Sequence, residues 1–162
     1  MYQSGELELA DNFKIMISFK IDPDGSIPKS SIHVIKSSGS QFFDNNALEI
    51  LWQLGESHAL SPLSALSSNT IELDINEAVT RLSITSFARS SDEAASMAGR
   101  IGFMLKMLGA VQKSKNPAVA ELLSHVKVTS DNKRVDADMT VPKSRATEMM
   151  RAQFNKPAGG SQ

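Results

Sequence analysis

Hydrophobic and polar positions alternate most clearly between Phe13 and Ile21. Phe13, Ile15, Ile17, Phe19 and Ile21 are separated by Lys14, Met16, Ser18 and Lys20. A period of two predicts a strand with one face on a core and the other toward water. Leu7 and Leu9 lead into it. Asp22-Pro23-Asp24-Gly25 then dictates a reversal, because proline presets φ and glycine accepts a positive φ. A second strand is predicted over 32–36, with Ile32 and Val34 on one face, and Ser37-Ser38-Gly39-Ser40 ends it. Asp44 is placed to cap a helix whose buried stripe is Ala47, Leu48, Leu51, Trp52 and Leu54, with Trp52 as a core anchor and Gly55 as the stop. After a serine-rich loop over 58–68, alternation returns between Thr70 and Asn76. Ile71, Leu73 and Ile75 point inward there, and Glu72 and Asp74 outward. Asn76-Glu77-Ala78 turns the chain into a fourth strand over 79–89, on which Leu82, Ile84 and Ser86 share a face.

Ser90-Ser91-Asp92-Glu93 has the form of a capping box, with Ser90 accepting from the Glu93 N–H and the Glu93 side chain reaching back to Ser90. The helix that follows is predicted to reach Lys113, with Ala94, Met97, Ile101, Met104, Leu105, Leu108 and Val111 as its apolar stripe. Gly99, Gly102 and Gly109 weaken a helix and so predict close packing. Met97 and Met104 read as core filling, while Phe103 and Met107 lie off the stripe and offer a further packing or dimer surface. Asn116-Pro117 opens a short helix to Ser124. A hairpin follows, pairing 125–129 with 134–141 around Asp131-Asn132-Lys133. Pro142 precedes a last helix carrying Ala146, Met149, Met150 and Phe154, and residues 155–162 read as a disordered tail. The expected fold class is α+β, a mostly antiparallel sheet with helices packed on it. The expected division is 1–78 for the first module, 79–154 for an extension and 155–162 for the tail.

The first half resembles the C-terminal domains of the TonB/TolA family. The residues that carry the likeness are Phe19-Lys20-Ile21-Asp22-Pro23-Asp24-Gly25, then Val34-Ile35-Lys36-Ser37-Ser38-Gly39, then Phe43-Asp44 and Ala47-Leu48. It spans Phe13 to Ile75, under half the chain. The Tyr-Pro entry of many such domains and a Trp-x-Phe-x-Pro exit are both missing. The resemblance implies a ββαβ unit and a non-catalytic module that binds a protein partner in the cell envelope.

Composition narrows the alternatives. The chain has 162 residues, is 41% hydrophobic and 22% charged, and carries a formal charge of −1. It therefore has the balance of a globular protein and no global attraction for nucleic acid. No cysteine is present, so disulfides, thiolate metal sites and thiol nucleophiles are excluded. No uninterrupted apolar run reaches a bilayer-spanning length, and the first residues lack the pattern of a secretion signal, so no direct membrane insertion of this segment is expected. The expected location is periplasmic or envelope-associated if the sequence is an excised part of an anchored chain, and otherwise cytoplasmic.

No catalytic constellation emerges, and no metal or cofactor is expected. Asp22 and Asp24 suggest a calcium loop, but the glycine comes too early and His33 stands where the bidentate glutamate belongs, so a plain turn is favoured. His33, His58 and His125 are widely spaced, and Asp136 and Asp138 fall on one face of a strand, where a solvated face outweighs acid–base work. The Ser37–Ser40 run could cradle an anion but fits a turn better. Lys14, Lys20, Lys29 and Lys36 give the first hairpin a basic edge without aromatic residues between them, so a solvated face is favoured over single-stranded nucleic acid.

The expected mechanism is strand addition, in which a partner's extended segment pairs with a sheet edge. The candidate edge is Ile71, Glu72, Leu73, Asp74 and Ile75, provided the strand over 79–89 does not cover it; if it does, self-association or a helix face takes over. The alternative is a soluble binder of a small apolar ligand held between the sheet and the long helix, against Met97, Ile101, Met104 and Leu105.

Overall fold

The structure, a computed structural model, describes residues 12–154 apart from 39, 40 and 59. The expectations for Leu7, Leu9 and the tail after 154 lie outside the described residues, as do the side chains of Leu54, Met149, Met150 and Phe154. The elements are β1 (Phe13–Phe19), β2 (His33–Ser37), α1 (Gln41–Glu56), β3 (Ser67–Ile75), β4 (Val79–Phe87), α2 (Ser91–Lys115), α3 (Pro117–Ser124), β5 (Val126–Asp131), β6 (Arg134–Pro142) and α4 (Lys143–Phe154).

All the strands join one six-stranded sheet in the order β2-β1-β3-β4-β6-β5. Every pairing is antiparallel. The expected α+β class is thus realised as a single continuous sheet. In the first half β2 and β3 flank β1, so they run parallel to each other and α1 makes the crossover between them. The second half has the reverse plan: β4 is inner, α2 and α3 cross over, β5 is the edge and β6 fills the gap. The β3–β4 hairpin, closed by Asn76 Oδ1 accepting from the N–H groups of Ala78 (2.9 Å) and Val79 (3.0 Å), joins the halves without a linker.

Register assigns the two faces. Ile15 lies opposite Leu73, and Ile17 opposite Ile71. Leu73 in turn faces Leu82, and Leu82 faces Met139. This apolar row is the helix-covered face. Ile15 and Ile17 are each only 2% exposed, and with Phe13, Phe19, Ile27, Leu51 and Ile75 they belong to the first core cluster. Full burial of side chains of this size is worth about 1.5–3 kcal/mol each. A second cluster contains Leu66, Ala88, Ala94, Met97, Ile101 and Val135. Leu63, from the loop after α1, packs against both.

Several local expectations shift. α1 begins at Gln41, so Asp44 lies in its first turn rather than at its cap, where its Oδ1 accepts from Ser37 Oγ at 2.8 Å. Its charge still suits the positive end of the helix dipole. Trp52 is only half-buried and carries the Lys29 ammonium 3.9 Å above its ring, a cation–π contact rather than a core anchor. Gly55 falls inside α1 and is buried; a Cβ there would stand 2.7 Å from the Ile27 backbone nitrogen, so close approach explains the glycine. Ser90 does cap α2, accepting from the Glu93 N–H at 3.1 Å, but Glu93 Oε2 reaches the Arg89 N–H instead of that of Ser90.

The largest shift concerns α2. Its buried residues are Ala94, Met97 and Ile101, all in its first half. Met104 and Leu105 are half-buried, while Leu108 and Val111, expected in the stripe, are 43% and 51% exposed. Length is the reason. A helix of 25 residues runs ~37 Å, whereas the six residues of β5 beneath it cover ~20 Å. The second half of α2 passes beyond the strand and packs beside α3 instead. Gly99 and Gly102 meet nothing within 4 Å of an added Cβ, so the close packing expected of them is not found.

At the seam between the clusters sits a buried polar pair. Asn69 and Ser86 are 1% and 3% exposed, and Ser86 Oγ donates to Asn69 Oδ1 at 2.7 Å. Asn69 Nδ2 is buried with no partner among the described residues. Ser86→Ala is expected to cost about 1–3 kcal/mol in urea unfolding, because it strands a buried acceptor. Adding Asn69→Leu should recover most of that loss, and a double-mutant cycle measures the coupling. Gly25, at φ +90°, gives a second test. A Cβ there would lie 2.5 Å from Ser61 N and 2.8 Å from His58 O, both backbone atoms. Gly25→Ala should destabilise by roughly 2–4 kcal/mol, read as a lowered urea midpoint at unchanged slope.

Candidate functional site

A sheet can recruit an extended peptide only where a strand has an unpaired side. The five residues Ile71–Ile75 do not offer one. β3 is paired along its length with β1 on one side, from Phe13 opposite Ile75 to Phe19 opposite Asn69, and with β4 on the other, from Ile71 opposite Ile84 to Ile75 opposite Thr80. Ile71, Leu73 and Ile75 pack with the first core cluster. Glu72 and Asp74 face outward, where Lys14 Nζ lies 2.8 Å from Glu72 Oε1 and 3.6 Å from Asp74 Oδ2. The hydrogen bond to Glu72, more than any other interaction, raises the Lys14 pKa. The strand over 79–89 covers this edge, the condition under which recognition was expected to move elsewhere.

The outer strands are therefore β2 and β5. All five residues of β2 are exposed, including Val34 at 42% and Ile35 at 56%. Met16 lies opposite Lys36 and Ile17 opposite Val34, so Ile35 is the extra residue of a bulge. β5 pairs with β6 without interruption, from Val126 opposite Met139 to Asp131 opposite Arg134. Val126 and Val128 are half-buried there and the other four residues are exposed.

The charged residues singled out for chemistry are engaged structurally. Asp138 Oδ1 accepts from Ser83 Oγ at 2.6 Å and pairs with Arg81 at 3.2 Å. Asp136 accepts from Thr85 Oγ1 at 2.9 Å and from Arg134 Nε at 2.7 Å. Together with Lys14, Glu72 and Asp74, these residues form a polar ladder over the uncovered face of the sheet. Asp24 caps its own turn, with Oδ1 accepting from the Ser26 N–H at 3.0 Å and from Ser26 Oγ at 2.7 Å. The Ser26 hydroxyl is the main reason its carboxyl titrates below the ordinary aspartate value. Asp22 contributes its carbonyl to the Gly25 N–H at 2.8 Å, so the segment is a turn.

His58 Nδ1 sits 3.0 Å from the Asp24 carbonyl oxygen, His33 lies on β2 and His125 ends α3. No group of three potential metal ligands forms among the described residues. Ser38 of the serine run is spent on the β1 edge, accepting from the Lys14 N–H at 3.0 Å, while Gly39 and Ser40 lie outside the described residues. On α3, Glu121 is held by Arg145, which keeps its carboxyl below the ordinary glutamate value and fixes the start of α4.

A cleft of about 1070 Å³ opens between α2, α3 and β5, bordered by Gly102, Phe103, Leu105, Leu123 and Val128. Of the residues expected to hold an apolar ligand only Leu105 borders it, because Met97 and Ile101 are buried in the second core cluster. The sequence did not point to this cleft, since α3 and β5 meet α2 only through tertiary packing.

Residues 3–76 match the family model described as TonB C terminal, a stretch just under half the chain that contains β1, β2, α1 and β3. No curated protein and no solved structure matches significantly. Residues 3–76 of this chain are thus similar to the C-terminal domain of TonB, which is the family the resemblance in the first half implies.

Proposed function

We propose that this protein is a non-catalytic interaction module of the cell envelope, and that a partner protein docks an extended segment along His33–Lys36 of β2. The family supports the first part, since TonB C-terminal domains bind proteins in the envelope and are not enzymes. It also supports a periplasmic or envelope location. The observation that carries the second part is the closure of β3 on both sides, which leaves β2 as the outer strand of the family-matched half. Main-chain hydrogen bonds would supply the affinity and contacts with Val34 and Ile35 the selectivity. The bulge at Ile35, the shortness of β2 and the charge on Lys36 guard such an edge against indiscriminate pairing.

The test is capture of a partner from envelope extract, followed by amide hydrogen exchange on the purified complex. New protection over 33–37 is expected. Val34→Lys/Ile35→Lys alters only exposed positions and should weaken the complex at least about tenfold while the far-ultraviolet circular dichroism stays unchanged. Full affinity in that variant, or protection confined to β5 or the helices, would overturn the reading.

A further inference from the structure

By length and composition α2 is apolar enough to cross a membrane, yet only 17% of its most apolar window is buried in the fold. Arg100 and Lys106 interrupt the apolar run, which is why no spanning segment was expected from the sequence. An apolar helix is ordinarily enclosed by protein or lipid. Here Ala94, Met97 and Ile101 fix the first half of α2 to the sheet, and the second half overhangs it. Phe103, Met107 and Val111 follow one another at intervals of four, forming a single ridge ~12 Å long, and are 67%, 52% and 51% exposed. Leu108, 43% exposed, lies beside the ridge.

Beyond its first turn, which holds Asp92 and Glu93, the charge on this helix is of one sign. Between Glu93 and Glu121 the chain contains Arg100, Lys106, Lys113 and Lys115 and no acidic residue, although the whole protein has a formal charge of −1. All four cations are exposed, and none has an ion pair among the described residues. On a helical wheel Lys106 and Lys113 lie to one side of the ridge, Lys115 lies to the other and Arg100 at its N-terminal end. The nearby acid on α3, Glu121, is already held by Arg145.

We propose that the second half of α2 lies flat on an anionic phospholipid bilayer. Phe103, Met107 and Val111 would enter the acyl boundary, and the four cations would reach the headgroup phosphates. A basic helix with an aromatic and aliphatic ridge has the chemistry of an interfacial anchor. Its attachment to the sheet makes it a surface contact and not a spanning segment. A second copy of the chain is the poorer occupant, because pairing the two ridges about a two-fold axis brings like charges together.

The experiment is co-sedimentation of the full chain at low salt with vesicles of phosphatidylcholine alone or of phosphatidylcholine mixed with phosphatidylglycerol. Binding is expected only to the mixed vesicles, and it should fall as salt is raised. Lys106→Gln/Lys113→Gln should lower the partition coefficient about 25-fold, at about five-fold per cation. Phe103→Ser/Met107→Ser should also reduce binding without altering circular dichroism, since both positions are exposed. Absence of binding to mixed vesicles would overturn the proposal, as would equal binding to both kinds. So would a ridge that mediates self-association in analytical ultracentrifugation while both vesicle types remain unbound.

Discussion

The hydrogen-bonding capacity of β3 governs the rest of the structure. A strand can be paired on two sides, and β3 uses one for β1 and the other for β4. The first pairing completes the sheet of the family-matched half; the second attaches everything that follows. The two halves therefore share a ladder and cannot be treated as beads on a linker. The same saturation removes β3 as a docking edge and transfers that role to a strand at the outside of the sheet.

The division of the sheet into two faces follows from this arrangement. With neighbouring strands in register across the sheet, Leu73, Leu82 and Met139 extend one apolar row, while Glu72, Ser83 and Asp138 extend a polar one. Helices cover the first row. The second is a polar surface in which each aspartate of the Asp136, Asp138 pair already has both a hydroxyl and an arginine partner. Carboxylates engaged in this way tie β6 to β4 across that face. At the margin of the helix layer, the mismatch between a long α2 and a short β5 leaves apolar side chains exposed, and the most distinctive surface of the second half arises from that mismatch.

Sequence periodicity located the inner strands well, most clearly β1, whose residues alternate between buried and half-buried, whereas β2 is exposed at all five residues. Residues 70–76 and 79–89, for example, correspond closely to β3 and β4. Caps were legible where the signal is local, as with Ser90 and Asn116. Expectations failed where a distant segment decides the environment. Gly55 looked like a helix stop, but its absent side chain makes room for Ile27. Trp52 looked like a core residue by its helical spacing, but Lys29 on the preceding connection lies over its ring. Leu108 and Val111 had the correct spacing for a buried stripe and lacked a strand to pack on.

The sequence by itself determined the alternating strands, the Asp-Pro-Asp-Gly turn, the Ser90 and Asn116 caps, the absence of cysteine chemistry and the family likeness of the first half. These depend on φ preferences, side-chain period and residue type, all of which act over a few neighbouring positions. Tertiary structure alone decided that β4 closes β3, that β2 and β5 remain at the edges, and that half of α2 projects past the sheet. Each of those outcomes depends on which distant strand supplies the next row of hydrogen bonds and how far it extends. Local pattern identifies a strand; only the assembled sheet determines which of its sides stays open.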